Sequence, residues 1–492
     1  MIKKIKRSYI NLKMLLRVIG WLLMIEAVFM LAPCITGFCF GEQSGLNFLL
    51  CIAITLTCGF GMVSLRPKSK EMGKREAVML TGLTWVILSL FGMLPFLLCG
   101  THLSVTDAFF ETMSGFTTTG ASVLDSVENV PKSILLWRCV VQWIGGLGII
   151  LFTLAVLPML NYQGGMQLFN AEVTGITHDK LRPRVSFTAQ SLWGVYITLT
   201  LVCIGLLCFS EMDVFDAVCY GLSTISTGGF SNSDTASAEL GGLYVKIVLI
   251  AFMFMGGVNF SLLYKLVTGH IRETFKNEII RWYIGAILLF YAILTLNVWL
   301  HDLAHSAEDL TIDPLFQAVS IITSTGLVEP DFYDWGSVAL ISLIIMMVMG
   351  ACSGSTSGGA KLDRFVVLFK FIRNEFYKLM HPNAITTVTM NGKGTPPAVL
   401  LKTLAFLFLY VMVIMAGGTL FVIIGLPLKD SFFIALSAVS NTGLGTDITG
   451  PNGNFALIPD IGKWLFSFLM LVGRLELFTI LILFLPSFWK KK

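Results

Sequence analysis

Polar and apolar positions in this chain fall into long blocks, not into the short alternation of strands. Predominantly apolar runs of about 20 residues or more predict helices over 15–37, 46–64, 77–99, 187–209, 279–300 and 398–424. A second set is predicted over 134–160, 243–267, 337–378 and 462–485, the third of these interrupted. Barrel strands would alternate over ~10 residues, and no such pattern is present. The pattern therefore predicts an all-α integral membrane protein with ten spanning helices: a starting pair, then four pairs that each bracket a short polar-ended segment.

Those four bracketed segments are copies of one another. They read DAFFETMSGFTTTGA, DAVCYGLSTISTGGF, DPLFQAVSIITSTGL and DSFFIALSAVSNTGL, and one ungapped frame fits all four. Asp107, Asp216, Asp313 and Asp430 each precede a glycine (Gly120, Gly229, Gly326, Gly443) by thirteen residues. Ser114, Ser223, Ser320 and Ser437 stand seven after the Asp, and Thr117, Ser226, Thr323 and Ser440 stand ten after it. A single S/T-x-x-T-G is an ordinary turn; the fourfold recurrence at fixed offsets is the specific signal. Each copy predicts a short helix with Asp at its N-cap. About ten helical residues cover ~15 Å, half the hydrocarbon core, so the chain must turn back through the hydroxyl-rich stretch. Such loops cannot lie against lipid and have to be buried in protein or line water.

Four re-entrant loops about one axis suit a cation pore. Carbonyls from Thr117, Thr118, Thr119 and Gly120, from Ser226, Thr227, Gly228 and Gly229, from Thr323, Ser324, Thr325 and Gly326, and from Ser440, Asn441, Thr442 and Gly443 would form the filter. The ion contacts are expected at Thr118, Thr119, Thr227, Gly228, Ser324, Thr325, Asn441 and Thr442. Glycine permits the backbone turn that aims carbonyls inward. The copies are unequal: Gly228 stands where the others have threonine, and Ala121 where the others have Phe230, Leu327 and Leu444. The predicted organisation is a two-helix unit over 1–70 and pore repeats over 71–165, 166–270, 271–395 and 396–492.

Composition agrees with burial in lipid. Of 492 residues 55% are hydrophobic and 13% charged, against roughly 25% charged in soluble domains, and mean hydropathy is +0.79. The net charge of +4 says little, but its distribution gives an orientation. Lys3, Lys4, Lys6, Arg7, Lys13, Arg66, Lys68, Lys70, Lys74, Arg75, Lys180, Arg182, Arg184, Arg272, Lys276, Arg281, Lys370, Arg373, Lys378, Lys393 and Lys490 to Lys492 share one face. By the positive-inside rule that face is cytoplasmic, with both termini on it. The opposite loops carry Asp125, Glu128, Asp234, Glu239, Asp302, Glu308, Asp309, Glu329, Asp331 and Asp334. They serve either to concentrate cations or simply to leave that face free of positive charge. The ten cysteines read as packing residues, and the six histidines as solvated, with no ligand spacing.

Two further features concern the passage of an ion. Gly350 to Gly359 holds four glycines (Gly350, Gly354, Gly358, Gly359) and four hydroxyls (Ser353, Ser355, Thr356, Ser357), followed by Lys361. Each glycine costs a helix about 1 kcal/mol relative to alanine, so this stretch breaks the helix. It reads as a gating loop under the filter, or as a passive break. It is not a phosphate-binding loop, because Ala360 takes the required lysine position. Arg474 lies mid-helix, where a charge costs roughly 2.5–3.5 kcal/mol, and so faces a cavity or partner, with the gating-loop hydroxyls as candidates. Glu476, two residues on, points to another face. Arg138 lies near the outer end of its helix, where it could snorkel. Gly145, Gly146, Gly148, Gly256 and Gly257 read as close-packing positions.

With these loops and this helix order, the chain resembles the Trk/Ktr/HKT superfamily of potassium uptake proteins, and specifically its TrkH-type subunits. The extra first helix pair, MGACSGSTSGGAK at 349–361, HPNAITTVTMNGK at 381–393 and the ending GRLELFTILILFLPSFW carry the resemblance to the subfamily. It implies K⁺ as the transported ion, filter roles for the four glycines, a gate at the glycine-rich loop and a pore-facing Arg474. It implies a homodimer in a bacterial inner membrane and a cytosolic TrkA-type nucleotide-binding partner. No organic cofactor, nucleic acid or enzymatic activity is expected; no histidine and no paired aspartate lies within the predicted spans. Na⁺-conducting relatives and H⁺- or Na⁺-coupled symport remain open. Related plant transporters carry serine at the first filter glycine; Gly120 favours K⁺.

Overall fold

The computed structural model describes residues 11–67, 73–146, 148, 185–234, 242–328, 330–446, 448–449 and 454–490. The inner half of the first trailing helix, apart from Gly148, lies outside them, as do Lys3 to Arg7, Lys68, Lys70, Lys180, Arg182, Arg184, Glu239 and Glu329. The described residues are predominantly helical, with one two-stranded hairpin among them, Thr389–Met390 against Lys393–Gly394. Its turn is Asn391-Gly392, both residues at positive φ, as a tight hairpin requires.

Among the described residues six helices are long and apolar enough to cross a membrane: Leu12–Cys39, Ser44–Val63, Arg75–Leu98, Ala189–Leu207, Glu278–Leu300 and Pro397–Ile424. The first is interrupted at Met30, because Pro33 has no N–H to give the Phe29 carbonyl. Two trailing helices expected to be continuous are broken. Gly242–Gly257 and Phe260–Val267 meet at 111°, as do Asp460–Arg474 and Phe478–Phe484. In the first break the Asn259 side chain caps the new helix, accepting from Ser261 N at 2.8 Å. In the second, Glu476 and Leu477 take positive φ. The third trailing helix breaks after Met349 as expected and resumes at Leu362. The glycine-rich loop fills the space between.

The starting pair cross closely through Gly20 and Gly59. A Cβ on either would lie within 3.0 Å of the other's carbonyl oxygen. Around the axis, the four short helices Val105–Phe116, Val214–Ser226, Ala307–Ile322 and Leu428–Ser440 are held in one manner. Each packs against the two helices of its own repeat and the trailing helix of the preceding repeat, with the fourth repeat preceding the first. That rule closes four repeats into a ring and leaves the starting pair outside it.

Candidate functional site

The short helices begin before the repeated Asp, not at it. Ser104, Asp213 and Pro427 occupy the N-cap positions, so Asp107, Asp216 and Asp430 are the third residues of their helices. In the third repeat the helix gains a further turn, with a Ser306–Asp309 capping box, and Asp313 falls inside it. A carboxylate in the first turn still faces the positive end of the helix dipole. It is also free to reach sideways. Lys463 Nζ lies 2.6 Å from Asp107 Oδ1, and Lys246 Nζ 2.7 Å from Asp313 Oδ1. Both lysines come from the preceding repeat's trailing helix. Asp216 receives Asn232 Nδ2 at 3.1 Å, and Asp430 the Thr446 hydroxyl.

At the inner ends the four loops share one backbone course. Thr118, Thr227, Ser324 and Asn441 all adopt φ near +53°, and Gly120, Gly229, Gly326 and Gly443 take φ of +72° to +83°. Left-handed residues thus alternate with ordinary ones, which turns successive peptide planes the same way. The loops interlock in order. A Cβ on Gly120 would fall within 3.0 Å of the Gly228 carbonyl oxygen, one on Gly229 of Thr325 O, one on Gly326 of Thr442 O, and one on Gly443 of Thr119 O. The sequence of neighbours, one to two to three to four and back to one, is a closed ring about a single axis. All four glycines also line one outer cavity of about 190 Å³, with Ser122, Asp125, Arg138 and Asp234 among its other walls. Of the outer acids, Asp125 and Asp234 line this cavity, whereas Glu308 meets Lys246 and Asp309 serves the cap.

Hydroxyls brace the loops from behind. Thr117 and Thr119 hydroxyls are 2.8 Å apart, Thr323 and Thr325 2.8 Å, and Ser440 and Thr442 2.9 Å. Asn441 Nδ2 crosses to the Thr119 hydroxyl at 3.1 Å, tying the last repeat to the first. Gly145 and Gly256 are packing positions, as expected: a Cβ on Gly145 would collide with Phe116 O, and one on Gly256 would meet Thr227.

The glycine-rich loop sits against the inner ends of these hairpins. Gly350, Gly354 and Gly359 all have positive φ. Thr356 Oγ1 donates to Ile225 O at 3.2 Å and Gly256 O at 3.0 Å, Gly358 N donates to Ser324 Oγ, and Gly359 N donates to Ser440 O at 2.9 Å. Ser355 bonds the Ser357 hydroxyl at 2.9 Å, and buried Lys361 donates to Ser357 O. Arg474 completes the set, but through carbonyls and not the hydroxyls expected. Its Nη1 donates to Thr356 O at 2.7 Å, and its Nη2 to Gly145 O and Gly146 O at 2.6 Å each. Loop and arginine together therefore touch all four repeats. Glu476 pairs instead with Arg364, at 2.6 Å.

Arg138 does not snorkel. It is 2% exposed, with Nε 2.8 Å from Glu111 Oε1, and it stacks on Phe230 and donates to Ser231 O and Ser122 Oγ. Glu111 also accepts from Val123 N at 3.0 Å. The pair braces the outward limbs of the first two hairpins. Its sequence signal was a charge in each of two neighbouring apolar segments, which is weak without knowledge of their contact. Gln142 and Lys246 were likewise not singled out. Among the described residues no group of three His, Cys, Asp or Glu could hold a metal ion.

Four interlocked hairpins around one axis, carried by membrane-crossing helices, define a membrane-embedded cation transport protein. The chain belongs to the TrkH family of cation transport proteins, which it matches over residues 44–491, and it is therefore a transporter and not an enzyme. It is 33% identical to the Trk system potassium uptake protein TrkH of Salmonella typhimurium over 481 residues, 96% of this chain and 99% of the relative. The Trk system potassium uptake protein TrkI of Halomonas elongata is 32% identical, covering 97% of each. The crystal structure of the potassium transporter TrkH from Vibrio parahaemolyticus matches with a TM-score of 0.87 and 31% identity, over 98% of this chain and 100% of that one.

Proposed function

We propose that this protein takes up K⁺ through the axis of the four hairpins. The observation that carries the reading is the interlock of each hairpin glycine with the next repeat's carbonyl, around a cavity that all four glycines line. Carbonyls of Thr119, Gly228, Thr325 and Thr442 form one coordinating level, and those of Thr118, Thr227, Ser324 and Asn441 the next. Carbonyl rings replace the hydration shell of a cation. Four helix C-termini facing the inner side favour positive charge there. The relatives named as potassium uptake proteins support K⁺ as the cargo.

The segment from Gly350 to Lys361 acts as the gate, with Arg474 as its latch and as a charge beside the ion path. Uptake follows the membrane potential, worth about 2.3 kcal/mol per charge per 100 mV. The protein sits in a bacterial inner membrane with both termini cytoplasmic. It works as a homodimer with a cytosolic TrkA-type nucleotide-binding subunit, in keeping with the Trk system of its relatives' names. Channel-like flux is favoured over H⁺ symport. Glu26 is buried but lies on the first pore helix's side facing Gly92, beside Thr112, and no second buried carboxylate is found with it among the described residues.

The test is complementation of a K⁺-uptake-deficient bacterium at low K⁺, with Rb⁺ and Na⁺ uptake measured in the same cells. The wild-type chain restores growth. Serine at Gly120, Gly229, Gly326 or Gly443 pushes a side chain into the neighbouring carbonyl and lowers the Rb⁺/Na⁺ uptake ratio by tenfold or more. Membrane-inserted serine variants with the wild-type ratio would refute the assignment.

A further inference from the structure

The second hairpin departs from the other three at Gly228, and the structure supplies what the missing side chain leaves open. In the other repeats Thr119, Thr325 and Thr442 turn a hydroxyl to a partner two residues back. At Gly228 a Cβ would lie within 3.0 Å of Cδ, Oε1 and Nε2 of Gln142. Gln142 comes from the first trailing helix, Lys132–Gly146, and is fully buried. Its amide therefore occupies the space that threonine fills elsewhere.

Every polar atom of that amide is engaged with the hairpin. Nε2 donates to Gly228 O at 2.7 Å, and Oε1 accepts from Ser223 Oγ at 3.0 Å and from Phe230 N at 3.3 Å. Gly228 O is the carbonyl packed against Gly120 in the ring. The matching position, three residues before the glycine that packs on the end of the pore helix, is Met253 in the second repeat and Met470 in the fourth. Both are fully buried and neither side chain has a hydrogen to give a carbonyl. In this comparison the first repeat alone places a donor there, and it does so beside the one hairpin that lacks the threonine.

From this pairing we infer that Gln142 is a positioning residue for the ion path, one that sets discrimination between monovalent cations. The inference rests on the filter reading above and deepens it. A carbonyl that accepts an amide N–H has less lone-pair density for an ion and is held by a buried side chain. The level formed by Thr119, Gly228, Thr325 and Thr442 is then not four equal oxygens. Its second member is tethered, which limits how far that side of the ring can close around a smaller ion. Gln142 and Gly228 act as one unit, and the alternative unit is its counterpart by position at the first hairpin, Thr119 with Met470 of the preceding, fourth repeat.

The experiment compares the wild type with Gln142→Met, Gly228→Thr and the double variant, by Rb⁺ and Na⁺ uptake in the same cells. Gln142→Met frees the Gly228 carbonyl; Gly228→Thr displaces the amide. Each single change is expected to lower the Rb⁺/Na⁺ ratio at least tenfold, and the double variant to return to within threefold of wild type. A ratio is insensitive to how much protein reaches the membrane, so simple filling of space would not move it in this pattern. Singles within twofold of wild type, or a double no better than its worse parent, would overturn the role. If one single variant does not accumulate, the other and the double decide between these outcomes. Absence of selective Rb⁺ flux in the wild type would instead strike the filter reading itself.

Discussion

A guanidinium and a carboxylate buried behind two hairpins are tolerable only together. Removing one partner of a buried ion pair typically costs about 3–5 kcal/mol, because the other charge is left without compensation. Arg138→Met is therefore expected to lower thermal stability in detergent sharply, and Glu111→Gln with Arg138→Met to recover most of the loss. Unfolding temperatures of Arg138→Met, Glu111→Gln and the double variant check this; independent, additive losses would mean the pair is not coupled. The pair was not legible in the sequence. Arg138 invited a surface reading because its position along the helix was known and its facing was not. Gly228 was visible as an exception among the repeats, but Gln142 could not be joined to it. A separation of 86 along the chain says nothing about contact.

At the scale of elements, the segment from Gly350 to Lys361 is held by bonds that can be released one at a time. Arg474 supplies one of them, to Thr356 O, and is itself anchored on Gly145 O and Gly146 O of the first repeat. Hydrogen bonds to charged groups are worth about 1.5–3 kcal/mol each. If the segment is the proposed gate, losing the one to Thr356 shifts its closed–open equilibrium by roughly tenfold or more. Arg474→Ala should raise K⁺ flux accordingly, and shortening the loop should do the same without the arginine change. Flux through reconstituted protein measures both; unchanged flux in both variants would leave the segment a passive break. The loop's existence followed from its glycines. Its contacts did not, because they depend on the breaks in the second and fourth trailing helices. Those breaks left little trace: Gly256 and Gly257 read equally well as close-packing positions in an unbroken helix, and nothing marked the break in the fourth.

Across the whole molecule the fourfold plan is overlaid by a twofold one. Lysines from the second and fourth trailing helices clamp the pore-helix aspartates of the third and first repeats, while the other two aspartates take neutral donors. Lys246→Met and Lys463→Met should each destabilise the protein. Being on opposite sides of the ring, their effects should add within about 0.5 kcal/mol, as read from denaturation of the single and double variants. Repeat order, helix pairing and the shared axis were all legible, since recurrence at fixed offsets survives without any knowledge of contacts. Which repeats are alike across the ring was not, because it lies in single residues on helices far apart in sequence. The interlock of each glycine with the next hairpin's oxygen has a practical corollary for chimaeras. A lone hairpin transplanted from a related transporter arrives without the edge it was shaped to fit, so productive grafts will have to carry adjoining hairpins as a pair.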